Sequence, residues 1–426
     1  MSFAHSPSVD ESVDHLFRRH AGRMVSVLTR IFGFEKLDLI EDAVQDALVT
    51  ALRKWPYTGM PDNPTAWLIQ VSKNRVLDHL RANKKFQTTE EDLETVSNAI
   101  AADAGEVYFS NEVSEDQLRM IFACCHPVIS PDSQVALTLK TVCGFNIPEI
   151  ARAFLSTDYS IAKLISRAKQ RLRLHGVRLG MPLPGELKER LESVLKVLYL
   201  MFNEGYTASA GDELIRKDLC FEAIRLCESL AKHPVTMSPE VHALATLFLA
   251  QAARFSTRCD NTGELLLLSE QDRSLWDEQM MDRAMQHFRL SASGETLSDY
   301  HLEAEIAVCH TFAKNYAATD WHNILECYDA LQKRRFSPVV ELNRIVVLAE
   351  IEGAEKGLIE LENFRQNYDL NGSYLLDLTE AHFLSETGAH AQAAESYTKA
   401  LNITENRSIR RFLEKKINEL KASFAS

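Results

Sequence analysis

Apolar residues recur at the spacing of an α-helix along nearly every segment of this chain. One example is the segment KLDLIEDAVQDALVTALRKWP, whose residues Ile40, Val44 and Leu48 fall on one side of a helix together with Ala43 and Ala47. Alternating β-branched runs bounded by Asn-Gly or Asp-Gly turns are absent from the sequence. The pattern predicts an all-α protein, and a length of 426 residues predicts two or three domains because one hydrophobic core does not extend that far.

Hydrophobic residues make up 46% of the chain and charged residues 25%, which is the composition of folded soluble domains rather than of a disordered protein. Apolar runs stay shorter than the roughly 20 residues that cross a bilayer, and the start MSFAHSPSVDESVDH lacks a signal-peptide core. We therefore expect a cytoplasmic protein with no membrane partner.

The eight cysteines are scattered through helical segments without a CxxC pair, which favours reduced and buried thiols. Cys124, Cys125 and His126 form the one cluster that suggests a metal, but no second ligand pair follows at zinc-finger spacing. We predict neither a bound metal nor another cofactor.

Charge is uneven along the chain, although the formal net charge is -13. From Phe86 to Leu118 there are nine acidic residues and no lysine or arginine, a composition typical of a linker or of a solvated segment. Eight basic residues lie further on: Lys140, Arg152, Lys163, Arg167, Lys169, Arg171, Arg173 and Arg178. Because DNA binding depends on a local basic patch and not on the total charge, the acidic total does not exclude DNA as a partner.

The basic part of the chain contains two short helical patterns, FNIPEIARAFL and DYSIAKLISRAKQRLR, separated by a break at Ser156 and Thr157. Pro148 fits the first turn of the first helix, and either Ser156 or Thr157 supplies an N-cap oxygen for the second. The second helix has an apolar side of Ile161, Leu164, Ile165, Ala168 and Leu172, and an opposite side of Tyr159, Lys163, Ser166, Arg167 and Gln170. This is typical of a helix-turn-helix that reads the major groove of DNA; the alternative is a basic surface helix without a ligand.

Two further amphipathic helices precede the acidic stretch. The first has a polar side of Glu41, Asp42, Gln45 and Asp46. The second, PTAWLIQVSKNRVLDHLRANKK, is predicted to begin after an Asn63 N-cap with Pro64 at its first position. One of its sides combines Trp67 with polar and cationic groups, as stacking on separated DNA strands requires, although Trp67 taken alone is better interpreted as a core residue.

The order of these parts resembles bacterial sigma factors of the extracytoplasmic-function group. The residues that carry the resemblance are EDAVQDALVTALRKWP, NPTAWLIQVSKNRVLDHLR, DQLRMIFACCHPVISPDSQVALTLKTVCGFNIPEIARAFL and ISRAKQRLR. Further on, VLYLMFNEGYTASAGDELIRKDLCFEAIRL and GELLLLSEQDRSLWDEQM resemble the C-terminal extension of one subgroup, which carries tetratricopeptide-like repeats. Ala82 and Leu164 depart from the arginines usual at these positions, which puts the promoter sequence in doubt rather than the fold.

The resemblance implies four parts: sigma region two at 10–85, an acidic linker at 86–114, sigma region four at 115–178 and the helical extension at 186–426. It implies binding to the β′ and β subunits of core RNA polymerase and to promoter DNA. The matching positions for the β′ clamp helices are Asp42, Gln45 and Asp46. Those for the minus-ten element are Trp67, Asn74, Arg75 and Arg81. Those for the minus-thirty-five element are Tyr159, Ser160, Lys163, Arg167 and Arg171. The linker either mimics nucleic acid in a basic channel of the polymerase or is a passive tether.

The C-terminal half shows signs of a repeat, because Thr319, Gly353 and Gly388 stand close to one tetratricopeptide unit apart. Such repeats build a concave surface that binds a protein or a small ligand, and we expect this half to regulate the sigma module in cis; the alternative is a domain that only stabilises the protein. The run Asn203–Tyr206 and Asp212 either line a ligand pocket or belong to a helix end.

The sequence does not predict an enzyme, because it has no nucleophile elbow, phosphate loop or paired-histidine metal motif. The rival to a sigma factor is a helix-turn-helix regulator or repeat-protein adaptor that never joins the polymerase. Such a regulator would not need the helix pair at 10–85, and this favours the sigma factor.

Overall fold

The structure is a computed structural model that describes residues 9–84, 110–154, 156–177, 179–180, 184–207, 215–260, 264–368, 374–404 and 406–424. Within these ranges the regular elements are helices, apart from one isolated β-bridge between Cys259 and Leu265. The prediction of an all-α fold is therefore confirmed. None of the helices described is both long enough and apolar enough to cross a membrane.

The chain divides into two compact units, Met1–Met201 and Phe202–Ser426. The helices of the first unit are α1 (Val9–Phe32), α2 (Leu37–Thr58), α3 (Pro64–Lys84), α4 (Ser110–Cys124), α5 (Pro131–Thr141), α6 (Ile147–Ala153) and α7 (Asp158–Leu174). Helix α8 (Pro184–Tyr206) begins in the first unit and ends in the second. The remaining helices are α9 (Lys217–Lys232), α10 (Pro239–Ala252), α11 (Glu278–Ser291), α12 (Asp299–Phe312), α13 (Trp321–Arg334), α14 (Pro338–Glu352), α15 (Ala354–Asn367), α16 (Tyr374–Glu386), α17 (His390–Ile403) and α18 (Arg407–Phe424).

In the first unit, α1 packs against α2, α3 and α4, so the predicted regions two and four share one packed body. Gly22 of α1 lies directly against the end of α5, since a Cβ atom there would stand 1.5 Å from the carbonyl oxygen of Val142. No other residue type fits so close an approach of two main chains. The first half of α8 also belongs to this body, because the Arg190 guanidinium donates to the carbonyl oxygen of Phe122 at 3.0 Å.

The second unit is built around α10, which packs against α9, α11 and α12 and is apolar on nearly all sides. A helix that is apolar on all sides must be buried, and nearly all residues of α10 are buried. From α13 onward each helix packs against the next in the chain. Gly353 and Gly388 each follow a helix end with a positive φ, 97° and 79°, a conformation that favours glycine.

Several predicted features lie outside the described residues. They include most of the acidic linker, whose last residues from Ser110 onward form the start of α4, together with Arg178 and Asp212. The predicted start of the C-terminal extension at 186 falls within α8, whereas the compact units divide after Met201.

Candidate nucleic-acid and protein interface

The polar face of α2 is exposed. The turn Phe34–Lys36 leads into this helix, and its predicted apolar side, which includes Ile40, Val44 and Leu48, is buried. Asp42, Gln45 and Asp46 on the opposite side are all exposed. The structure therefore leaves the three predicted polymerase-binding residues accessible to a partner.

One of these residues is joined to a predicted DNA-binding residue. Arg75 of α3 donates one hydrogen bond to Asp46 and another to Thr50, each at 2.8 Å. The side chains of Arg75 and Asp46 are 42% and 60% exposed, so the ion pair contributes only about 0–1 kcal/mol. A partner of either residue can therefore displace the other at little cost.

Helix α3 starts as the sequence predicts, since the side chain of Asn63 accepts a hydrogen bond from the main-chain nitrogen of Ala66 at 3.0 Å. Trp67, Asn74 and Arg81 follow one another at intervals of about two turns and so share one side of the helix. Asn74 and Arg81 are exposed, and Trp67 is half-buried.

Trp67 meets the indole of Trp55 at 5.5 Å in an edge-to-face arrangement. This contact fits the interpretation of Trp67 as a core residue, but a half-buried ring also keeps part of its surface for a base. Both interpretations of Trp67 stay open.

Helices α6 and α7 and the turn between them match the two predicted helices and their break. Asn146 and Glu149 cap α6 reciprocally, each side chain accepting from the other's main-chain nitrogen at 2.8 Å. Thr157 is the N-cap of α7, and its hydroxyl accepts from the main-chain nitrogen of Ser160. The sequence had left the cap open between Ser156 and Thr157, and the structure selects Thr157.

The apolar and polar sides of α7 follow the prediction. Ile161, Ile165, Ala168 and Leu172 are buried, while Leu164 is half-buried. The five predicted minus-thirty-five residues Tyr159, Ser160, Lys163, Arg167 and Arg171 are all exposed. The ammonium group of Lys163 lies 5.7 Å from the centre of the Tyr159 ring, so the first turn of α7 presents an aromatic group and a cation together.

The structure adds an ion-pair cluster that sequence reasoning missed, formed by Lys169 and Arg173 of α7 with Asp38 and Glu41 of α2. The Lys169 ammonium donates to Asp38 at 3.0 Å and to Glu41 at 2.5 Å. Arg173 also pairs with Asp38. A signal existed in the sequence, since Lys169 falls beside Ile165 on the buried flank of α7, where an isolated charge needs a partner.

A second ion pair joins the predicted regions two and four. Arg30 of α1 donates to Asp116 of α4 at 2.9 Å, and Arg119 donates to the other oxygen of the same carboxylate at 3.1 Å. Asp116 is buried, and its burial raises the pKa of its carboxyl group despite the two arginines. The acidic stretch therefore ends in a residue that is part of the packed body and not of a solvated linker.

Comparison with known proteins gives three results. Residues 16–86 match the family described as Sigma-70 region 2. Residues 190–292 match a family of unknown function (DUF6596). An uncharacterized protein of Rhizobium meliloti (strain 1021) is 33% identical over 394 residues, which cover 92% of both chains. No solved structure matches.

The Sigma-70 region 2 match covers α2 and α3, which carry the exposed residues described above. Region 2 implies interaction with core RNA polymerase and promoter DNA, and it indicates a non-catalytic transcription factor, in agreement with the prediction that the chain is not an enzyme. The chain therefore belongs to one family with the Rhizobium meliloti protein, and its N-terminal part is a region 2 domain of the sigma-70 type.

Proposed function

We propose that the protein is a sigma factor of the extracytoplasmic-function group, which directs core RNA polymerase to specific promoters in the cytoplasm. The observation that carries the proposal is the Sigma-70 region 2 match together with the exposed face of α2. Asp42, Gln45 and Asp46 on that face are the proposed contacts to the β′ subunit, and further contacts to β are proposed without assigned residues.

The test is assembly with core polymerase in vitro. Asp42→Lys together with Asp46→Lys reverses the charge of the proposed face and should weaken assembly at least tenfold, whereas Glu192→Lys changes an exposed acid on α8 and should not. Assembly that is equally tight for all three proteins would exclude this face. A wild-type chain that never co-purifies with core polymerase would instead favour a regulator or adaptor.

The proposed minus-ten contacts are Trp67, Asn74, Arg75 and Arg81 on α3. The proposal rests on the region 2 match over this helix and on the exposure of its polar residues. Since stacking on a base is worth about 1–3 kcal/mol, Trp67→Ala should reduce promoter opening at least several-fold. Binding to a double-stranded upstream element alone should be unchanged, and an equal loss in both assays would point to a folding defect.

We propose helix-turn-helix recognition of the minus-thirty-five element by α6 and α7. Two of the five proposed residues, Lys163 and Arg171, should have different roles: the first recognises bases and the second binds the phosphate backbone. Lys163, in the first turns of α7, should read bases, so that Lys163→Ala changes base preference. Arg171, near the end of α7, should hold phosphate, so that Arg171→Ala weakens binding on all sequences and lowers the salt slope by about one. If both substitutions lower the DNA affinity equally on every sequence, α7 binds the phosphate backbone without recognising bases.

We propose that the C-terminal half is a tetratricopeptide-like domain that regulates the sigma module in cis. Helices α13 to α18 support the repeat architecture, because each packs against the next as stacked helix pairs do. The test is a chain that ends after Met201, since a chain that ended before α8 would lose the bond from Arg190 to Phe122. If this chain is helical by circular dichroism and transcribes as the full chain does, the domain is only a stabilising appendage.

A further inference from the structure

Three arginines of the C-terminal unit, Arg254, Arg258 and Arg273, form what we call the guanidinium cluster. Arg254 and Arg258 follow the end of α10, and each is only 9% exposed. Arg273 begins a short 3-10 turn and is half-buried, so the cluster reaches the surface at this residue. Burial of three cations together is costly unless negative charge compensates them.

Aromatic side chains hold the cluster together. The Arg258 guanidinium lies 3.8 Å from the centre of the Tyr206 ring, and Arg254 donates to the hydroxyl of the same tyrosine at 2.6 Å. On its other side, Arg254 lies 6.0 Å from the centre of the Trp276 ring, and Arg273 lies 4.6 Å from it. Arg254 is therefore the central member, placed between the phenol and the indole.

No carboxylate of the described residues pairs with any of the three arginines. Other arginines of the same unit have such partners, for example Arg365, which binds both oxygens of Glu380 at 3.0 and 3.1 Å. Burial, together with the charge of Arg254, lowers the pKa of Arg273. The guanidinium group nevertheless stays protonated at any physiological pH.

Two helix ends compensate part of this charge. Arg258 donates to the carbonyl oxygen of Tyr206, the last residue of α8. Arg273 donates to the carbonyl oxygens of His310 and Ala313 at the end of α12, at 2.7 and 2.9 Å. A helix C-terminus carries about half a negative charge, so about two positive charges of the cluster remain uncompensated by the described residues.

Three buried nitrogen atoms around the cluster make no hydrogen bond to a described group: Nε of Arg254, Nη2 of Arg273 and Nδ1 of His310. The His310 ring meets Trp321 at 5.3 Å. Burial, with further repulsion from Arg254 and Arg273, lowers the pKa of His310 to about 4, so its ring is neutral and can donate from one nitrogen. A buried donor without an acceptor destabilises the folded state, because the group has lost its hydrogen bond to water and gained no other.

We propose that the guanidinium cluster binds an oxyanion, the phosphate or carboxylate group of a small molecule. One such group supplies both the negative charge and the acceptor atoms that the described residues do not provide. The guanidinium group suits it because its planar fork bonds two oxygens of a carboxylate or phosphate at once. Tyr206 ends α8, as one of the two predictions for this residue has it, and its ring lies against the Arg258 guanidinium.

The experiment titrates the full-length protein with inorganic phosphate and, separately, with acetate, while chloride keeps the ionic strength constant. Trp276 is a local reporter, so its fluorescence should change saturably, with half-saturation in about the millimolar range. A saturating excess should also raise the melting temperature of the C-terminal transition by about 3 °C. If only phosphate gives a saturable change, the ligand carries a phosphate group; if only acetate does, the ligand carries a carboxylate. If both do, the site accepts either group. If neither anion gives a saturable change, the charges are neutralised within the chain and the proposal fails.

The matched variants are Arg254→Gln in the cluster and Arg365→Gln outside it. Arg254→Gln should weaken anion binding at least tenfold, and Arg365→Gln should leave it unchanged. Equal weakening in both would show a general charge effect and overturn the site. If Arg254→Gln does not fold, the variant to use is Arg273→Lys, which keeps the positive charge but loses the planar guanidinium group that bonds two oxygens at once. Wild-type anion affinity in Arg273→Lys would also overturn the proposal. These assays contain no polymerase, so their outcome is independent of the proposed sigma function.

Discussion

Replacing Lys169 with methionine removes the ammonium group that joins α7 to α2 and keeps most of the aliphatic stem. The Lys169 side chain is 11% exposed, and its two partners Glu41 and Asp38 are 24% and 55% exposed. Glu41 is the more buried partner and accepts the shorter bond, at 2.5 Å. The larger part of the interaction energy therefore lies in the pair of Lys169 with Glu41.

A hydrogen bond to a charged group contributes about 1.5–3 kcal/mol, and breaking a fully buried ion pair by removing one partner costs about 3–5 kcal/mol. Because Asp38 is exposed, its ion pair with Lys169 contributes only as much as a surface pair, about 0–1 kcal/mol. Asp38 also keeps Arg173 as a partner when Lys169 is replaced. We therefore expect Lys169→Met to lower the free energy of unfolding by about 2 kcal/mol. That corresponds to about a thirtyfold change in an equilibrium constant.

The assay is urea unfolding in a background of Trp276→Phe and Trp321→Phe, so that fluorescence comes from the two tryptophans of the N-terminal unit. A double-mutant cycle of Lys169→Met and Glu41→Gln should give a coupling energy of about 1 kcal/mol or more. The control is Arg167→Met on the exposed side of α7, which should change stability by less than about 0.5 kcal/mol. A coupling energy of zero, or equal effects of Lys169→Met and the control, would refute the role of this cluster.

The same variant has a functional consequence under the proposed function. At 100° per residue, Asp38 and Asp42 are neighbours on one side of α2, so α7 is held against the first turn of the proposed polymerase-binding face. If the polymerase must displace α7 from both Glu41 and Asp38, Lys169→Met should bind core enzyme more tightly, by up to the thirtyfold given above. Weaker binding of core enzyme by a folded variant would mean that the cluster persists in the complex.

Three further predictions concern the C-terminal unit. Phe383→Ala, at a side chain only 1% exposed, should cost about 3–5 kcal/mol in chemical denaturation. Gly388→Ala should cost about 1 kcal/mol from backbone strain alone, because φ is 79° and no atom lies within 4 Å of the added Cβ. Burial alone would raise the pKa of Glu228, but the His287 ring nearby and two hydrogen bonds from Arg283 outweigh it and lower the pKa to about 2 from an ordinary 4.5. The resulting stability is present above about pH 4.5 and is lost as the pH falls toward 2, so Glu228→Gln should flatten the pH dependence of unfolding in that window.

Features that depend on neighbours in sequence were predictable. Helix periodicity gives the buried side of α2, and the caps Asn63 and Thr157 follow from side chains that bond main-chain nitrogens within the next turn. The exposure of the predicted DNA-facing residues of α7 follows from the same periodicity.

Features that depend on distant residues were not predictable. Lys169 and Asp38 are 131 positions apart, and no local pattern specifies that pairing. The guanidinium cluster was missed for a related reason: Arg258 and Tyr206 are 52 positions apart, and each arginine taken alone is an ordinary surface residue. Periodicity shows that Lys169 needs a partner, but only the tertiary fold shows which one.

Under the proposed function, the contacts of α2 explain how an acidic protein can carry elements that read DNA. Its polar face holds cations at two places: Lys169 of α7 at the first turn, and Arg75 of α3 at Asp46 further along. Both cations belong to helices proposed to touch promoter DNA, and both are neutralised by the acids of a helix proposed to touch the polymerase. Asp46 is itself a proposed polymerase contact, and Asp38 and Glu41 lie beside that face, so a partner that binds the acids of α2 competes with these cations. Under the proposed function, polymerase binding and the release of positive charge for DNA are therefore coupled, and free protein has less charge available to phosphate than its basic segment alone suggests.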